Sequence, residues 1–246
     1  MLHKERENAI LDYLQGKREA SVAELCHALF VSEATMRRDL AALNRSGRIL
    51  RTHGGAIIRN EPCENLPQTL REREHTEAKV TIAKKCLSLI RDGDTVMVDA
   101  SSTAFELLKR IHEKNAVVVV TNSAKAALVL ADTSVKTFVS GGELAGSSYA
   151  YVGSHAEQFM RGFNADICFF SVRRLTEDGR HTDKAIAENA VRAAMLSRAR
   201  RRVLMLDSEK LGAPCMHTLC ELDSVTDVVS ERDISLCFPE YRDKFL

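Results

Sequence analysis

Residues 21–56 read SVAELCHALFVSEATMRRDLAALNRSGRILRTHGGA, and their pattern decides how the start of the chain folds. Ser21 and Glu24 stand three residues apart ahead of an apolar run. This is a capping box, in which the serine oxygen accepts from the Glu24 amide and the glutamate accepts from the Ser21 amide. A short helix is expected from there to about Leu29, then a turn at Phe30-Val31, then a helix capped by Ser32 and running to about Asn44. Two helices joined by so short a turn form a helix-turn-helix. At about 100° per residue, Met36, Leu40 and Leu43 share one side of the later helix, while Ala34, Arg38, Ala41 and Arg45 share the other, with Arg37 on the flank. Small residues allow close approach and guanidinium groups reach guanine or phosphate, so the outer face suits a major groove.

The flanks extend this unit. Upstream, Ile10, Leu11 and Leu14 make an amphipathic helix from Lys4 that is expected to stop near Gly16. Downstream, Ser46 to Arg59 read as two short strands around a His53-Gly54-Gly55 turn, a basic hairpin able to lie against the DNA backbone as a wing. Charge follows the same division. Residues 1–60 hold ten Lys and Arg against seven Asp and Glu, whereas the whole chain is nearly neutral at +1. A basic head on a mildly acidic body is the asymmetry expected when only one module meets phosphates.

Composition narrows the alternatives. The chain has 246 residues, of which 45% are hydrophobic and 28% charged, with only 12 Gly and 4 Pro, so it can bury a core and is neither fibrous nor largely disordered. No apolar stretch is long enough to span a bilayer and the amino terminus lacks a signal-peptide core, so a cytoplasmic location with no membrane partner is expected. Seven cysteines are scattered without a CxxC pair, an odd count that favours reduced thiols. Cys215, His217 and Cys220 cluster locally but lack the second knuckle of a zinc site, and no metal or cofactor is expected. Walker A, GxGxxG, HExxH and GxSxG sequences are absent, which removes support for nucleotide hydrolysis, dinucleotide binding and two hydrolase chemistries.

Residues 60–68 carry two of the four prolines and no periodicity, and residues 69–91 read as a polar helix that turns apolar toward its end. The expected division is therefore a DNA-binding domain over 1–59, a linker over 60–74 and a second domain over 75–246. Past Gly93 the texture changes to short apolar runs at 95–98, 117–120, 167–170 and 203–206, with helix-length segments between them. Such runs mark parallel strands buried on both faces, a Rossmann-like α/β sheet. Ligands of these sheets gather beyond the carboxyl ends of the strands. The runs lead into Asp99-Ala100-Ser101-Ser102-Thr103, Thr121-Asn122, Gly141-Gly142 after a shorter run at 136–140, Ser171, and Asp207-Ser208-Glu209-Lys210. Carboxylates for hydroxyls, a hydroxyl-rich cradle and a lysine for phosphate are what a phosphorylated polyol needs. The basic run Arg198 to Arg202 reads as a solvated helix end.

Val31 to Leu40, Gly47 and Arg51-Thr52-His53-Gly54-Gly55-Ala56 resemble the winged helix-turn-helix signature of the DeoR family of bacterial transcription regulators. The resemblance implies that Ser32, Thr35, Arg37 and Arg38 contact groove and phosphate, with Arg51 and His53 on the wing. It extends along the chain through Asp99 to Thr103, Val120 to Ser123, Ser140 to Gly142, Leu175 to Gly179, Glu188 and Asp207 to Lys210, which look like the family's effector domain, itself similar to sugar-phosphate isomerases. It implies an effector site containing Asp99, Ser101, Ser102, Thr103, Thr121, Asn122, Gly141, Gly142, Glu188, Asp207 and Lys210. Ala100-Ser101-Ser102-Thr103 departs from the usual Ser-Gly-Thr-Thr type of loop but keeps the hydroxyls, and Arg174 stands where glycine is common. The implied protein is a homo-oligomeric repressor of a carbohydrate or polyol operon, dimer or tetramer, released from double-stranded operator DNA by a phosphorylated sugar or polyol. The competing class is an isomerase-like enzyme with Glu188 or Asp207 as base and Lys210 as electrostatic partner.

Overall fold

The computed structural model describes residues 3–45, 48–52, 54–58 and 67–246, and the chain divides into two compact units, 1–64 and 65–246. In the first, α1 (His3–Lys17) runs one residue past Gly16, and Arg18 turns the chain with a left-handed φ of 65° into β1 (Glu19–Ser21). The capping box forms as expected: Ser21 Oγ accepts from the Glu24 amide at 3.1 Å and Glu24 Oε2 accepts from the Ser21 amide at 2.8 Å, opening α2 (Val22–Leu29). Helix α3 (Glu33–Arg45) follows, then β2 (Ile49–Arg51) and β3 (Gly55–Ile58). Ile10, Leu14, Leu25, Met36, Leu40 and Leu43 are all buried in one core, so the periodicity of α1 and α3 is the packing face itself. The hairpin gains a third strand that the sequence pattern hides, because β1 adds to β3 in the order β1-β3-β2. Only a glycine fits at 55, since a Cβ there would stand 2.1 Å from the Ala20 carbonyl oxygen.

The second unit begins with α4 (Gln68–Arg71) and α5 (Thr76–Leu89). The expected single helix over 69–91 is thus two, broken at His75, which takes a left-handed φ of 48°. Helix α4 also falls inside the stretch read as linker. Next come β4 (Thr95–Val98), α6 (Ser102–Leu108), β5 (Val118–Thr121), α7 (Ala124–Leu130), β6 (Lys136–Val139), the hairpin β7 (Glu143–Ala145) and β8 (Ala150–Val152), α8 (Ser154–Arg161) and β9 (Ala165–Phe170). The chain closes with β10 (Arg174–Leu175), β11 (Arg180–Asp183), α9 (Ile186–Leu196), β12 (Ala199–Met205), β13 (His217–Glu221) and β14 (Asp227–Val229).

Six strands form one parallel sheet in the order β14-β12-β9-β4-β5-β6. Side chains alternate across it. Val96, Val98, Val119, Ile167, Phe169, Val203 and Met205 enter one core, and Met97, Val120, Cys168, Phe170, Leu204 and Val228 enter the other. Burial on both faces is why these strands read as unbroken apolar runs rather than as alternation. From β4 the chain winds outward through β5 to β6, then restarts at β9 on the other side of β4 and winds out through β12 to β14. The order reverses between β4 and β9, so their carboxyl ends frame the crevice where open α/β sheets take ligands.

Two expectations are corrected. Arg198 to Arg202 are not a helix end: β12 starts at Ala199, and Arg201 is held there by a bidentate pair with Asp227, both contacts 2.7 Å. Cys215 is disulfide-bonded, whereas Cys26, Cys86, Cys168, Cys220 and Cys237 are free thiols. Scattered spacing alone shows no pairing, because partners are set by the fold. Among the described residues no helix is long and apolar enough to cross a membrane.

Candidate functional site

Helix α3 is fixed by its buried side. Asp39 lies in that side, fully buried, and accepts from Arg6 of α1 through both oxygens, Nε at 2.5 Å and Nη2 at 3.0 Å. Ser32 precedes the helix and its hydroxyl meets Thr35 Oγ1 at 2.9 Å, while the Thr35 amide donates to Ser32 Oγ at 3.4 Å. Ser32 therefore caps the helix, and Thr35 holds its hydroxyl in place. Arg37 is exposed and its guanidinium is held by Glu33 one turn earlier, with Nε at 3.0 Å. Arg38, next to it, is exposed and makes no hydrogen bond or ion pair among the described residues. Arg51 is exposed on β2, its amide bonded to Asn44 Oδ1 at 3.0 Å. His53 lies outside the described residues.

In the second unit the loops after β4, β9 and β12 meet at Lys210. Its ammonium donates to Ser171 Oγ at 2.8 Å and Thr103 Oγ1 at 3.3 Å, and lies 3.3 Å from Asp207 Oδ2. Burial pushes the Lys210 pKa down, and Arg173 and Arg71 push the same way against the support of Asp207. Burial also works against ionised Asp207, but Lys210, His75 and Lys79 outweigh it and hold the carboxyl below its ordinary range. Asp207 Oδ1 makes no hydrogen bond among the described residues although the side chain is buried. It borders a cleft of about 620 Å³ that His75, Thr76, Glu209 and Glu231 also line, a size suited to a small ligand.

Four further cations gather at this place. Lys79 of α5 is buried and donates from Nζ to the Arg71 and Glu74 carbonyls, the latter at 2.7 Å. Its pKa is lowered to about 7, first by burial and then by the charges of Lys210 and Arg71. Arg71 is lowered to about 10 by burial and by Arg173, and Arg173 is lowered by burial too. Arg174 reaches across from β10, donating from Nη1 to the Glu209 carbonyl at 2.6 Å, and so ties its strand to the turn that carries Lys210.

The remaining expected residues divide. Asp99 and Glu188 do not face the Lys210 group as open acceptors. Arg192 of α9 takes both, with Nε 2.8 Å from Asp99 Oδ2 and Nη2 3.0 Å from Glu188 Oε2, and it adds Asp183 at 3.2 Å. Asp99 also accepts from the Ser101 amide at 3.1 Å and the Ser171 amide at 3.4 Å, which fixes the two loops that flank the crevice. The Ser101 hydroxyl caps α6 at Ala104, Ser102 and Thr103 are buried in its first turn, and Thr121 Oγ1 accepts from Ser123. Asn122 donates to the Tyr151 carbonyl at 3.1 Å, leaving its buried Oδ1 without a hydrogen bond among the described residues. Gly141 and Gly142 both take positive φ, and a Cβ on Gly142 would stand 2.9 Å from the Val152 carbonyl oxygen. Asn122 and the glycine pair follow β5 and β6, and their described contacts run to β8 rather than to Lys210.

Sequence reading missed Arg71, Lys79, Arg173 and Arg192. One signal was available: Lys79 stands three, four and seven residues before Ile82, Ala83 and Cys86, on the buried stripe of α5. A lysine on such a stripe is charged where charge is costly, which marks function or a special partner.

A winged helix-turn-helix ahead of a parallel α/β unit, with cations and hydroxyls gathered at the sheet's switch point, defines a DNA-binding regulator with a sensor domain. Residues 6–61 match the DeoR-like helix-turn-helix domain and residues 74–232 the DeoR C terminal sensor domain; the chain belongs to the DeoR family of transcription regulators. It is 29% identical over 232 residues to the HTH-type transcriptional regulator GolR of Listeria innocua, covering 94% of this chain and 91% of that protein. It is likewise 29% identical to the HTH-type transcriptional repressor GlcR of Bacillus subtilis, covering 99% and 94%. Among solved structures, translation initiation factor eIF-2B of Pyrococcus horikoshii OT3 aligns with a TM-score of 0.53 at 17% identity over 94% of this chain and 82% of that one, a likeness of fold alone.

Proposed function

We propose that this regulator is a homo-oligomeric repressor of a carbohydrate or polyol catabolic operon and that a phosphorylated sugar or polyol releases it from its operator. One observation carries the effector class: Lys210, Lys79, Arg71 and Arg173 crowd together in a partly buried place where each has its pKa depressed, beside an Asp207 oxygen that makes no hydrogen bond among the described residues. A phosphate relieves the crowding and a hydroxyl fills the acceptor. Thr103 and Ser171 extend the cradle, and Asp99 and Glu188 act through Arg192 by holding its walls. On the DNA side Arg38 reads a base edge, Arg37 and Arg51 meet phosphates, and Ser32 and Thr35 sit at the groove wall; the family resemblance adds His53 as a further contact. Paired half-sites follow from an oligomer's symmetry.

An enzymatic role is disfavoured by the same geometry. Glu188 is engaged by Arg192, and the Asp207 carboxyl is held below its ordinary range, away from the neutrality that suits a general base. Release requires that the effector bind the non-DNA-binding arrangement more tightly than the other. The test is fluorescence anisotropy of labelled DNA from upstream of the protein's own gene, at fixed physiological salt because phosphate contacts make affinity steeply salt-dependent. Operator-specific binding reversed by one sugar phosphate is the expected result. Binding no tighter than to scrambled DNA, or turnover of a sugar phosphate abolished by Glu188→Gln, overturns it.

A further inference from the structure

Helix α2 ends at Phe30, whose φ of 53° and ψ of 45° lie in the left-handed region. The conformation is imposed by the corner: the amides of both Phe30 and Val31 donate to the Cys26 carbonyl, the arrangement for which helix ends recruit glycine or asparagine. A phenylalanine is costly there because its Cβ crowds the backbone. The side chain returns nothing to the fold. It is 93% exposed, the one large hydrophobic residue so exposed among the described residues of the N-terminal unit. A residue that is both strained and unburied points to a task outside the fold.

Its position names the partner. Phe30 stands two residues before Ser32, the cap of α3, so the two Cα atoms are at most about 7 Å apart. On the reading that the first turn of α3 enters the groove, whatever Ser32 meets lies within reach of the Phe30 ring. We propose that Phe30 is an apolar DNA contact, packing against the carbon-hydrogen surface of the operator beside the recognition helix. That surface has two sources, the 5-methyl group of thymine and the C–H face of deoxyribose.

Full-length Phe30→Gly and Phe30→Asn proteins test this. Both residues accept the left-handed corner, so both variants are expected to unfold no lower than wild type while binding the operator about tenfold more weakly, the size of one lost apolar contact. Repeating the titration with deoxyuridine in place of thymidine separates the sources. Weakening of wild type but not of the variants identifies the methyl group; no effect on any of the three identifies the sugar. Affinity within about twofold of wild type in both variants overturns the contact, as does a loss of affinity matched by a loss of stability. A changed oligomeric state at unchanged operator affinity overturns it too, by placing Phe30 between subunits. If none of the three proteins prefers operator over scrambled DNA, the regulator reading has failed and this contact falls with it; equal preference in all three refutes the contact alone.

Discussion

Two buried groups of charges sit side by side at the carboxyl edge of the sheet, and they are opposites. Around Arg192 one guanidinium is enclosed by Asp99, Asp183 and Glu188, and although burial alone would lower its pKa, the three carboxylates drive it upward. Around Lys210 the cations outnumber what Asp207 can answer, and burial and like charge lower every one of them. The first is the more hidden from water: the Arg192 side chain is 3% exposed and that of Lys210 20%. The difference is one of proportion: three carboxylates converge on one cation in the first, whereas in the second Lys210 and Lys79 share Asp207, and Arg71 and Arg173 draw on the same Asp183 and Glu188 that Arg192 uses. A local surplus of positive charge with depressed pKa values marks a candidate site for an anionic ligand. On the proposed function the Arg192 group is scaffold and the Lys210 group is receptor.

Removing the scaffold cation is the harshest test of that division. Arg192→Met removes the one cation that all three carboxylates share, leaving Arg173 as a neighbouring charge for Asp183, and stability is expected to fall by about 3–5 kcal/mol in chemical denaturation. An effector should not restore it, because phosphate adds negative charge. A small loss, or rescue by a sugar phosphate, would break the comparison.

Lys210→Met probes the other side. Here one crowded ammonium leaves and Asp207 keeps Lys79 and His75 as neighbours. The expected stability change is far smaller than for Arg192→Met. Operator affinity should be unchanged, while the effector concentration for half-release rises by at least about tenfold, within the usual range of coupling between sites. A variant released at the wild-type concentration would take Lys210 out of the receptor.

How much of this was legible beforehand depends on where each group resides in the chain. Met36, Leu40 and Leu43 repeat with the helix, and strands buried on both faces announce themselves as apolar runs, so α3, β4, β5, β9 and β12 could be placed by eye. Strand β14 could not, because Asp227-Val228-Val229 is too short to stand out. Thr103, Ser171, Asp207 and Lys210 were found because they directly follow such runs. Arg71, Lys79, Arg173 and Arg192 come from helices or an adjoining loop, where a cation looks like a solvated residue until the fold turns it inward. Asp99 and Glu188 were read as ligand acceptors for the same reason. For Glu188 the spacing of four to Arg192 on one helix is a local signal, but nothing near Asp99 shows that the same arginine, 93 positions away, takes it too.

Lys79 gives the finest discrimination between the two groups. With its folded pKa at about 7 against an ordinary 10.5, the native protein binds fewer protons than the unfolded chain across that window. Stability without effector should therefore rise as pH rises from about 7 toward 10.5, and be lost on the way down. A phosphate beside Lys79 favours the ammonium and raises its pKa, so effector binding must take up a proton above pH 7. Affinity then falls with rising pH by at most about tenfold per unit. The phosphate contributes little to this slope, because its second pKa of about 6 leaves it a dianion throughout. Calorimetry in buffers of different ionisation enthalpy at about pH 8 measures the uptake directly. Lys79→Met should abolish the uptake while Arg192 stays charged and silent. Binding that takes up no proton in the wild type would mean that Lys79 does not face the phosphate, and that its two bonds to the Arg71 and Glu74 carbonyls are its whole role.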